Sequence, residues 1–335
     1  MTKIKLRGLK LLEGGAQVIS SNPGDHNLLA TGVCSPLALN KINLTFLTHA
    51  ALDQSVSCLT SFCTEGSAGR ASAALIEAPF GGTVKLHENI SILSVFPHDQ
   101  RPQVAGVLLE SLARKEITLQ GMGSSPSAVS SIVPTAETEA AIDTLFDAFE
   151  FPAYGSPSDW YAAYEGKEHL LQKIIASYQE KVIRIYDIVQ QSDLDLWNLV
   201  QPPSGLGDLG AALVTLGRLG VTMGFLTATP SPNGSLAFSF CFPSARAGEI
   251  RRGISHQVGN TPLEFHPQVA ALYIHGPHFG DRYGIAHTLV RAMENDGVSL
   301  LALGCTVSSI SVIIRQEDLD TALQALEATF QGSKA

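Results

Sequence analysis

Four short polar segments, each predicted to join a strand to a helix, carry the side chains best suited to binding a small charged molecule. The N-terminus of a helix offers free N–H groups and a positive dipole end to a carboxylate, and a nearby aspartate can take an ammonium group. The segments therefore favour an amino acid as ligand, although Asp, Asn or Ser before a helix is also an ordinary cap. Their candidate ligand-binding residues are Asp25, His26, Asn27, His98, Asp99, Arg101, Asp208, His278, Asp281 and Arg282.

A group of histidines near the C-terminal end raises the question of a metal site. His275, His278 and His287 lie close together in the sequence, with His266 upstream. A zinc site needs ligands that converge at metal spacing, but His275 falls in a predicted strand and His287 in a predicted helix. We therefore expect surface or supporting histidines, and we predict no metal and no other cofactor.

The elements that must position the polar segments repeat along the chain. Alternating apolar residues predict strands and a 3–4 spacing predicts helices, in four copies of a β-α-β-β-α-β pattern. This predicts an α+β fold of ferredoxin-like modules, with antiparallel sheets and helices on one face, in two pairs joined by a helical linker. The predicted division is copy one at residues 1–89, copy two at 90–155, the linker helix at 156–180, copy three at 181–266 and copy four at 267–335.

Copy four carries the clearest pattern. Its predicted order is a strand at residues 269–275, a helix at 283–294, strands at 298–303 and 310–314, and a helix at 318–330. This copy resembles an ACT domain, the small amino-acid-sensing module of biosynthetic enzymes. The stretch around the motif GCTVSS at residues 304–309 is similar to the regulatory end of aspartokinases.

The resemblance implies where a ligand binds. In ACT domains, the turn between the first strand and the first helix forms the effector pocket, together with the end of the second strand from the partner unit. The matching strand ends in this chain contribute Thr48, Ser124, Ser125, Thr306 and Ser308 as further candidates. The turn of copy one, Asn22-Pro-Gly-Asp25, is near the ACT pattern, whereas a long predicted turn at 190–207 makes copy three depart most from it.

Composition limits the class of protein. The chain has 335 residues, 45% of them hydrophobic, so it can bury a sizeable core, and its net charge of −9 argues against nucleic acid or an anionic membrane as partner. No apolar run approaches the ~20 residues that a membrane-spanning helix needs. The five cysteines are odd in number and widely spaced, which predicts reduced, buried thiols in a cytoplasmic protein.

Three functions are compatible with these patterns. The favoured one is a stand-alone regulatory or sensor protein that binds a small amino acid, or a similar small carboxylate, between paired modules. Its expected partners are that effector, a second copy of the chain in a homodimer, and a regulated enzyme of amino-acid metabolism. No catalytic residue is predicted, because four copies leave no residues for a catalytic domain.

The alternatives are a divergent aspartokinase-related enzyme that phosphorylates aspartate and a ligand-free assembly module. The enzyme hypothesis is prompted by Phe80-Gly-Gly-Thr-Val84, which echoes the start of an aspartokinase catalytic domain. Pro79 stands where that domain has a lysine, and a complete copy two follows directly.

Overall fold

The computed structural model describes residues 3–23, 29–52, 57–80, 82–165, 187–231, 233–259, 261–276, 282–306 and 309–330. The strands within these residues are β1 Ile4–Lys5, β2 Gly8–Pro23, β3 Phe46–Leu52, β4 Ser57–Glu65, β5 Thr83–Phe96, β6 Gly121–Ser124, β7 Val129–Pro134, β8 Phe149–Glu150, β9 Asp187–Gln201, β10 Phe225–Pro230, β11 Leu236–Pro243, β12 Leu263–His275, β13 Ala302–Thr306 and β14 Ser309–Arg315.

The helices cover one face of the strands, as the apolar periodicity predicted. Their bounds are α1 Ser35–Leu39, α2 Gly69–Phe80, α3 Pro102–Arg114, α4 Thr138–Ala148, α5 Pro157–Glu165, α6 Leu206–Arg218, α7 Ala247–Val258, α8 Ile285–Asn295 and α9 Leu319–Thr329. A π-helical segment at Leu29–Cys34 runs directly into α1. The predicted linker helix is described only as α5, and its remaining residues lie outside the described part of the chain.

Twelve of the described strands form one closed sheet in which every neighbouring pair is antiparallel. The order is β10-β11-β9-β12-β14-β13-β3-β4-β2-β5-β7-β6, and β6 closes the circle by pairing with β10. The short strands β1 and β8 pair in parallel beside it. The fold class predicted from the sequence, with its antiparallel sheets and helical layers, is confirmed.

Four long strands each contribute to two parts of the sheet. Residues 15–23 of β2 pair with β4 and residues 15–21 also pair with β5 on the other side, whereas residues 8–12 pair with β5. In the second half of the chain, residues 194–201 of β9 pair with β11 and β12, whereas residues 187–191 pair with β12. The N-terminal part of β9 therefore extends the sheet of β12, β13 and β14, which follows it by more than 70 residues in the sequence.

The switch between the two parts of each long strand is a bulge. The β2–β5 register shifts between Leu12 and Gly15, and the β12–β9 register shifts between His266 and Val269. Backbone φ angles are positive beside these shifts, at Gly14 (72°), Asn89 (58°), Asp193 (57°) and Gln268 (55°). A bulge adds a residue to one strand and bends it, which allows the two ends of one strand to serve different sheet regions.

The long turn predicted at residues 190–207 is wrong, because β9 continues to Gln201. The residues from Leu194 to Leu199 are all buried, and alternate ones point to opposite faces of the sheet. Trp197 packs in the helical layer with Leu199, whereas Leu196 packs on the other face with Phe225. The burial of both faces hides the simple polar-apolar alternation that marks a half-exposed strand.

Two large apolar cores lie between the sheet and its helices. One joins α3 and α4 of the first half to α6 and α7 of the second, and the other joins α1 and α2 to α8 and α9. Both cores therefore contain residues from before and after the linker. Trp160 of α5 is also buried, and its indole N–H donates to the carbonyl oxygen of Leu9 at 3.1 Å.

Helices α3 and α6 cross at glycines. A Cβ atom placed on Gly106 would lie 2.6 Å from the carbonyl oxygen of Gly210, and a Cβ on Gly210 would lie 2.7 Å from that of Gly106. Such distances are shorter than ordinary contacts between non-bonded atoms, so neither position accepts a side chain without moving a backbone. The glycines therefore set the spacing of the two helices across the interface.

Candidate functional site

A pocket of about 590 Å³ lies where three parts of the fold meet, and we call it the junction pocket. Its volume falls within the range of ~300–1,000 Å³ that is typical of small-molecule sites. The sheet contributes Ile19, Lys85 and His87, the connection from α3 to β6 contributes residues 113 and 116–120, and the start of α6 and the β10–β11 hairpin contribute Pro203, Ser204, Leu206, Pro230, Ser231, Gly234 and Leu236.

A tight turn brings the start of α6 to the pocket. Residues Pro203–Gly205 form one 3-10 turn, and α6 begins at the next residue, Leu206. A Cβ on Gly205 would lie 2.2 Å from Oε1 of Gln201, so a side chain at this position would displace the amide of Gln201. The N–H of Leu206 donates to the carbonyl oxygen of Pro203, so the first turn of α6, which includes Asp208, continues directly from the 3-10 turn.

The α3–β6 connection is held on both sides by hydrogen bonds. The carboxylate of Glu137 accepts from the N–H of Thr118 at 2.6 Å and from its hydroxyl at 3.0 Å. The amide of Gln17 donates to the carbonyl oxygen of Gln120 at 2.9 Å, which ties the connection to β2. These bonds fix one wall of the pocket against its neighbours.

The pocket is lined by one positively charged side chain, one negatively charged side chain and several polar and apolar groups. Lys85 and Glu116 supply a cation and an anion, while Ile117, Leu206 and Leu236 supply apolar surface. Burial, with a smaller contribution from the charge of Lys85, lowers the pKa of His87, which favours a neutral imidazole. Among the described residues, neither Nδ1 of His87 nor Oε1 of Gln120 finds a hydrogen-bond partner, although both atoms are buried.

This arrangement suits a small zwitterion. A carboxylate would gain from Lys85 and from the N-terminus of α6, and an ammonium group would gain from Glu116. The unpartnered atoms of His87 and Gln120 offer further hydrogen bonds, and the apolar wall offers surface for a side chain.

Residues from the turn of predicted copy two come together, but they bond mainly to one another. The ring Nε2 of His98 donates to the carbonyl oxygen of Ser125 at 2.6 Å, and Arg101 pairs with Asp99 at 3.2 Å. Burial lowers the pKa of His98, although its bond to Ser125 acts in the opposite direction. These side chains shape the turn, whose Gln100 carbonyl accepts from the N–H of Met223 at 2.8 Å.

The strand ends of the second predicted copy contact two different neighbours. Ser125 accepts a hydrogen bond from His98 of the same predicted copy. Ser124 crosses to the neighbouring copy instead, where its hydroxyl oxygen accepts from the N–H of Leu226 at 2.9 Å. Thr48 and Thr306 are buried inside the closed sheet, away from the junction pocket.

Arg282 lines a much smaller cavity, of about 20 Å³, between α1 and α8. Cys34 and Cys305 line the same cavity, and burial raises the pKa of each thiol to about 12. All five cysteines are buried free thiols, as the sequence predicted, and buried thiols are poor nucleophiles. The candidates Asp25, His26, Asn27, His278, Asp281 and Ser308 lie outside the described residues.

The residues that line the junction pocket were missed from the sequence, except that Asp208 lies in the adjoining helix. Lys85, His87 and Glu116 come from two predicted copies, and no motif connects them. The only local signal is the break after α3, where Glu116 adopts a positive φ of 55°. The pocket depends on how the copies meet, which a local pattern does not encode.

The Gly-Gly echo of a kinase domain has a structural explanation. Phe80 ends α2, and β5 begins at Thr83. A Cβ on Gly82 would lie 2.2 Å from the carbonyl oxygen of Ser21, so glycine is needed for the backbone to pass that strand. In the part of the chain that the structure describes, no three His, Cys, Asp or Glu side chains gather in a way that could hold a metal ion.

Comparisons with known proteins agree with the resemblance seen in copy four. Residues 264–328 match the family model of the ACT domain. A crystal structure of aspartate kinase from Synechocystis is similar with a TM-score of 0.78 at 13% identity, over 97% of this chain and 56% of that one. The chain therefore spans little more than half of that enzyme, and the likeness concerns the fold. No curated protein matches.

Shorter similarities involve regulatory subunits of aspartate kinases. The ligand-free subunit from Thermus thermophilus has a TM-score of 0.40 at 17% identity, over 45% of this chain and 99% of that one. The subunit from Thermus flavus has a TM-score of 0.40 at 20% identity, over 44% of this chain and 99% of that one. Within the described residues, no helix is both long and apolar enough to span a membrane.

Proposed function

We propose that this chain is a regulatory module that binds a small amino acid, or a similar small carboxylate, in the junction pocket. The observation that carries the proposal is the pocket itself, because it combines Lys85, Glu116 and an apolar wall beside the N-terminus of α6. The ACT-domain match at residues 264–328 supports a regulatory role based on a small molecule.

The proposal includes the division into four ACT-like units at residues 1–89, 90–155, 181–266 and 267–335. Under this division, the units exchange strands within each half through β2, β5, β9 and β12. The first and fourth units then meet at β3 and β13, and the second and third meet at β6 and β10. Each meeting continues a sheet, which removes an exposed strand edge.

Regulation would follow from the position of the pocket between units. A ligand that contacts Lys85, Glu116 and Ser204 touches segments from the first, second and third units at once. It favours whichever relative placement of those units gives it the better contacts, and this differential affinity is what regulation requires. We propose that a cytoplasmic enzyme of amino-acid metabolism reads this placement, with the chain acting as a homodimer.

Binding is tested by calorimetry and thermal shift with each of the twenty amino acids. We expect one or a few to bind and to raise the melting temperature of the protein. The variant K85M should weaken that binding about tenfold or more, because a charge-assisted hydrogen bond contributes about 1.5–3 kcal/mol. The variant K115M is the matched control, since Lys115 is exposed at the end of α3 and does not line the pocket.

Two outcomes would contradict the proposal. One is the absence of any response to all twenty amino acids, and the other is equal weakening by K85M and K115M. The same purified protein, incubated with ATP and aspartate, tests the enzyme hypothesis, because phosphorylation of aspartate would favour that function over regulation.

A further inference from the structure

The interior of the closed sheet contains two separate apolar clusters, one from each half of the chain. Phe46, Ile92 and Ile132 belong to the cluster of the first half, and Leu196 and Phe225 belong to that of the second. Where the halves meet, the residues are small or polar instead. Thr48 neighbours Gly304 across the β3–β13 pair, and Gly123 neighbours Thr227 across the β6–β10 pair.

Four buried residues at this boundary form what we call the polar seam: Thr48, Asn198, Thr227 and Ser239. Each is at most 1% exposed. Five of their side-chain atoms have no hydrogen-bond partner among the residues that the structure describes. These atoms are Oγ1 of Thr48, Oγ1 of Thr227, Oγ of Ser239, and Oδ1 and Nδ2 of Asn198.

Three residues of the polar seam lie on adjacent strands of the second half, and Thr48 lies on a strand of the first half. Thr227 is the register neighbour of Ser239, and Ser239 is the register neighbour of Asn198, so the three form a row across β10, β11 and β9. Directly opposed side chains in a sheet have Cβ atoms about 4.5–5.5 Å apart. A Cβ on Gly304 would lie 3.0 Å from Cγ2 of Thr227, so the strand beside Thr48 approaches this row closely.

Other hydroxyl groups inside the same sheet do find partners. Ser94 and Ser130 bond to each other at 2.7 Å, and the amide of Gln17 donates to the hydroxyl oxygen of Ser61 at 2.8 Å. Within the described residues, Oγ1 of Thr229 and Oε1 of Gln17 also lack a partner, whereas the polar seam groups five such atoms. Five unsatisfied buried atoms together would cost a large part of the stability of an ordinary protein, so a molecule with both donors and acceptors is needed there.

We propose that the polar seam is an internal water site that joins the two halves of the chain. A buried water molecule makes about three hydrogen bonds, so the five atoms of the seam call for about two water molecules. Water supplies both donors and acceptors, which the mixture of hydroxyl and amide groups requires. The site is independent of the junction pocket.

A high-resolution crystal structure of the full chain tests the proposal directly. We expect water density within hydrogen-bonding distance of Asn198 and Thr227, and magnetic relaxation dispersion in solution should detect the same long-lived water. The double variant T227V/N198L should lose this signal. The control S130A alters a hydroxyl pair in the same interior and should keep it.

Two results would overturn the inference. One is a dry seam in the wild-type crystal, with the side chains bonded to each other. The other is an unchanged relaxation signal in a folded T227V/N198L protein. If that variant does not fold, the wild-type crystal structure and relaxation measurement still decide between a hydrated and a dry seam.

Discussion

His98 illustrates how a polar residue that resembles a ligand-binding group can instead stabilise a turn. It is 1% exposed, and its ring donates to the carbonyl oxygen of Ser125 while its backbone N–H donates to that of Ser127. A carbonyl oxygen only accepts, so Nε2 carries a proton, and the pKa lowered by burial favours the neutral ring. The residue closes the turn over the end of β6 and contributes to stability rather than to an open site.

The burial of His98 predicts a loss of stability in mild acid. Its folded pKa is lowered by burial, so below the unfolded pKa of about 6.5 the unfolded state binds more protons than the folded state. Stability that is present above that pH is therefore lost as the pH falls through the lowered folded pKa. Melting temperatures measured between about pH 7.5 and about pH 5.5 should fall, and they should fall less in H98Q.

The glutamine variant is chosen because its amide can still donate to Ser125 but does not titrate. The matched control is H256Q, since His256 is exposed on α7. Equal acid sensitivity in the wild type and H98Q would show that other groups, such as His87 and His287, whose pKa values burial also lowers, dominate the effect. That result would contradict the prediction for His98.

At the scale of elements, α3 and α6 cross so closely that a single added methyl group would meet the opposite backbone. Gly106 and Gly210 allow each backbone to touch the other, and the flanking apolar residues of both helices join one core. The spacing of the second and third predicted copies is set there. A change of that spacing would also move the start of α6, which lines the junction pocket.

The substitution G106A should therefore destabilise the protein. Its added methyl group would meet the carbonyl oxygen of Gly210, and overpacking of this kind costs about 1–3 kcal/mol. The control is G207A in the same helix pair, where a Cβ would lie 3.8 Å from its nearest neighbour, the Cβ of Ala113. Replacing that glycine by alanine should be neutral or stabilise by up to about 1 kcal/mol.

Chemical denaturation of both variants gives the two free energies of unfolding. A G106A protein as stable as the wild type would mean that the helices separate at little cost and that the glycine contact does not set their spacing. A loss of stability in G207A would instead show that helix α6 tolerates no change in this region, so that the comparison would not isolate the crossing.

At the scale of the whole molecule, the two halves of the chain form one closed sheet. The pairs β3–β13 and β6–β10 connect them by backbone hydrogen bonds, and both apolar cores contain helices from each half. Each half needs the other to pair its edge strands and to complete both apolar cores. The covalent linker is therefore not the main connection between them.

Cleavage between residues 166 and 186 tests this view. With a protease site inserted there, the cut protein should remain a single species in size-exclusion chromatography under native conditions, and mass spectrometry should find both fragments in it. The uncut protein with the same insertion is the control. Separation of the fragments without denaturant would show that the linker, rather than the sheet and cores, holds the halves together.

The amino-acid sequence determined the fold class and helices such as α8 and α9, whereas it missed the continuation of β9 to Gln201. Helices α8 and α9 lie within about two residues of their predicted positions at 283–294 and 318–330, because each has one apolar face and that periodicity is a local property. The ACT resemblance of copy four also rests on a continuous stretch, and the match at residues 264–328 confirms it.

The tertiary structure decided what depends on contacts between distant residues. The N-terminal part of β9 pairs with β12, more than 70 residues away, and a bulge lets one strand serve two regions of the sheet. Lys85, Glu116 and Ser204 lie far apart in the sequence and line one pocket only in the folded chain. Strand pairing and closure are set by the packing of whole faces against each other, whereas sequence periodicity reports one face at a time.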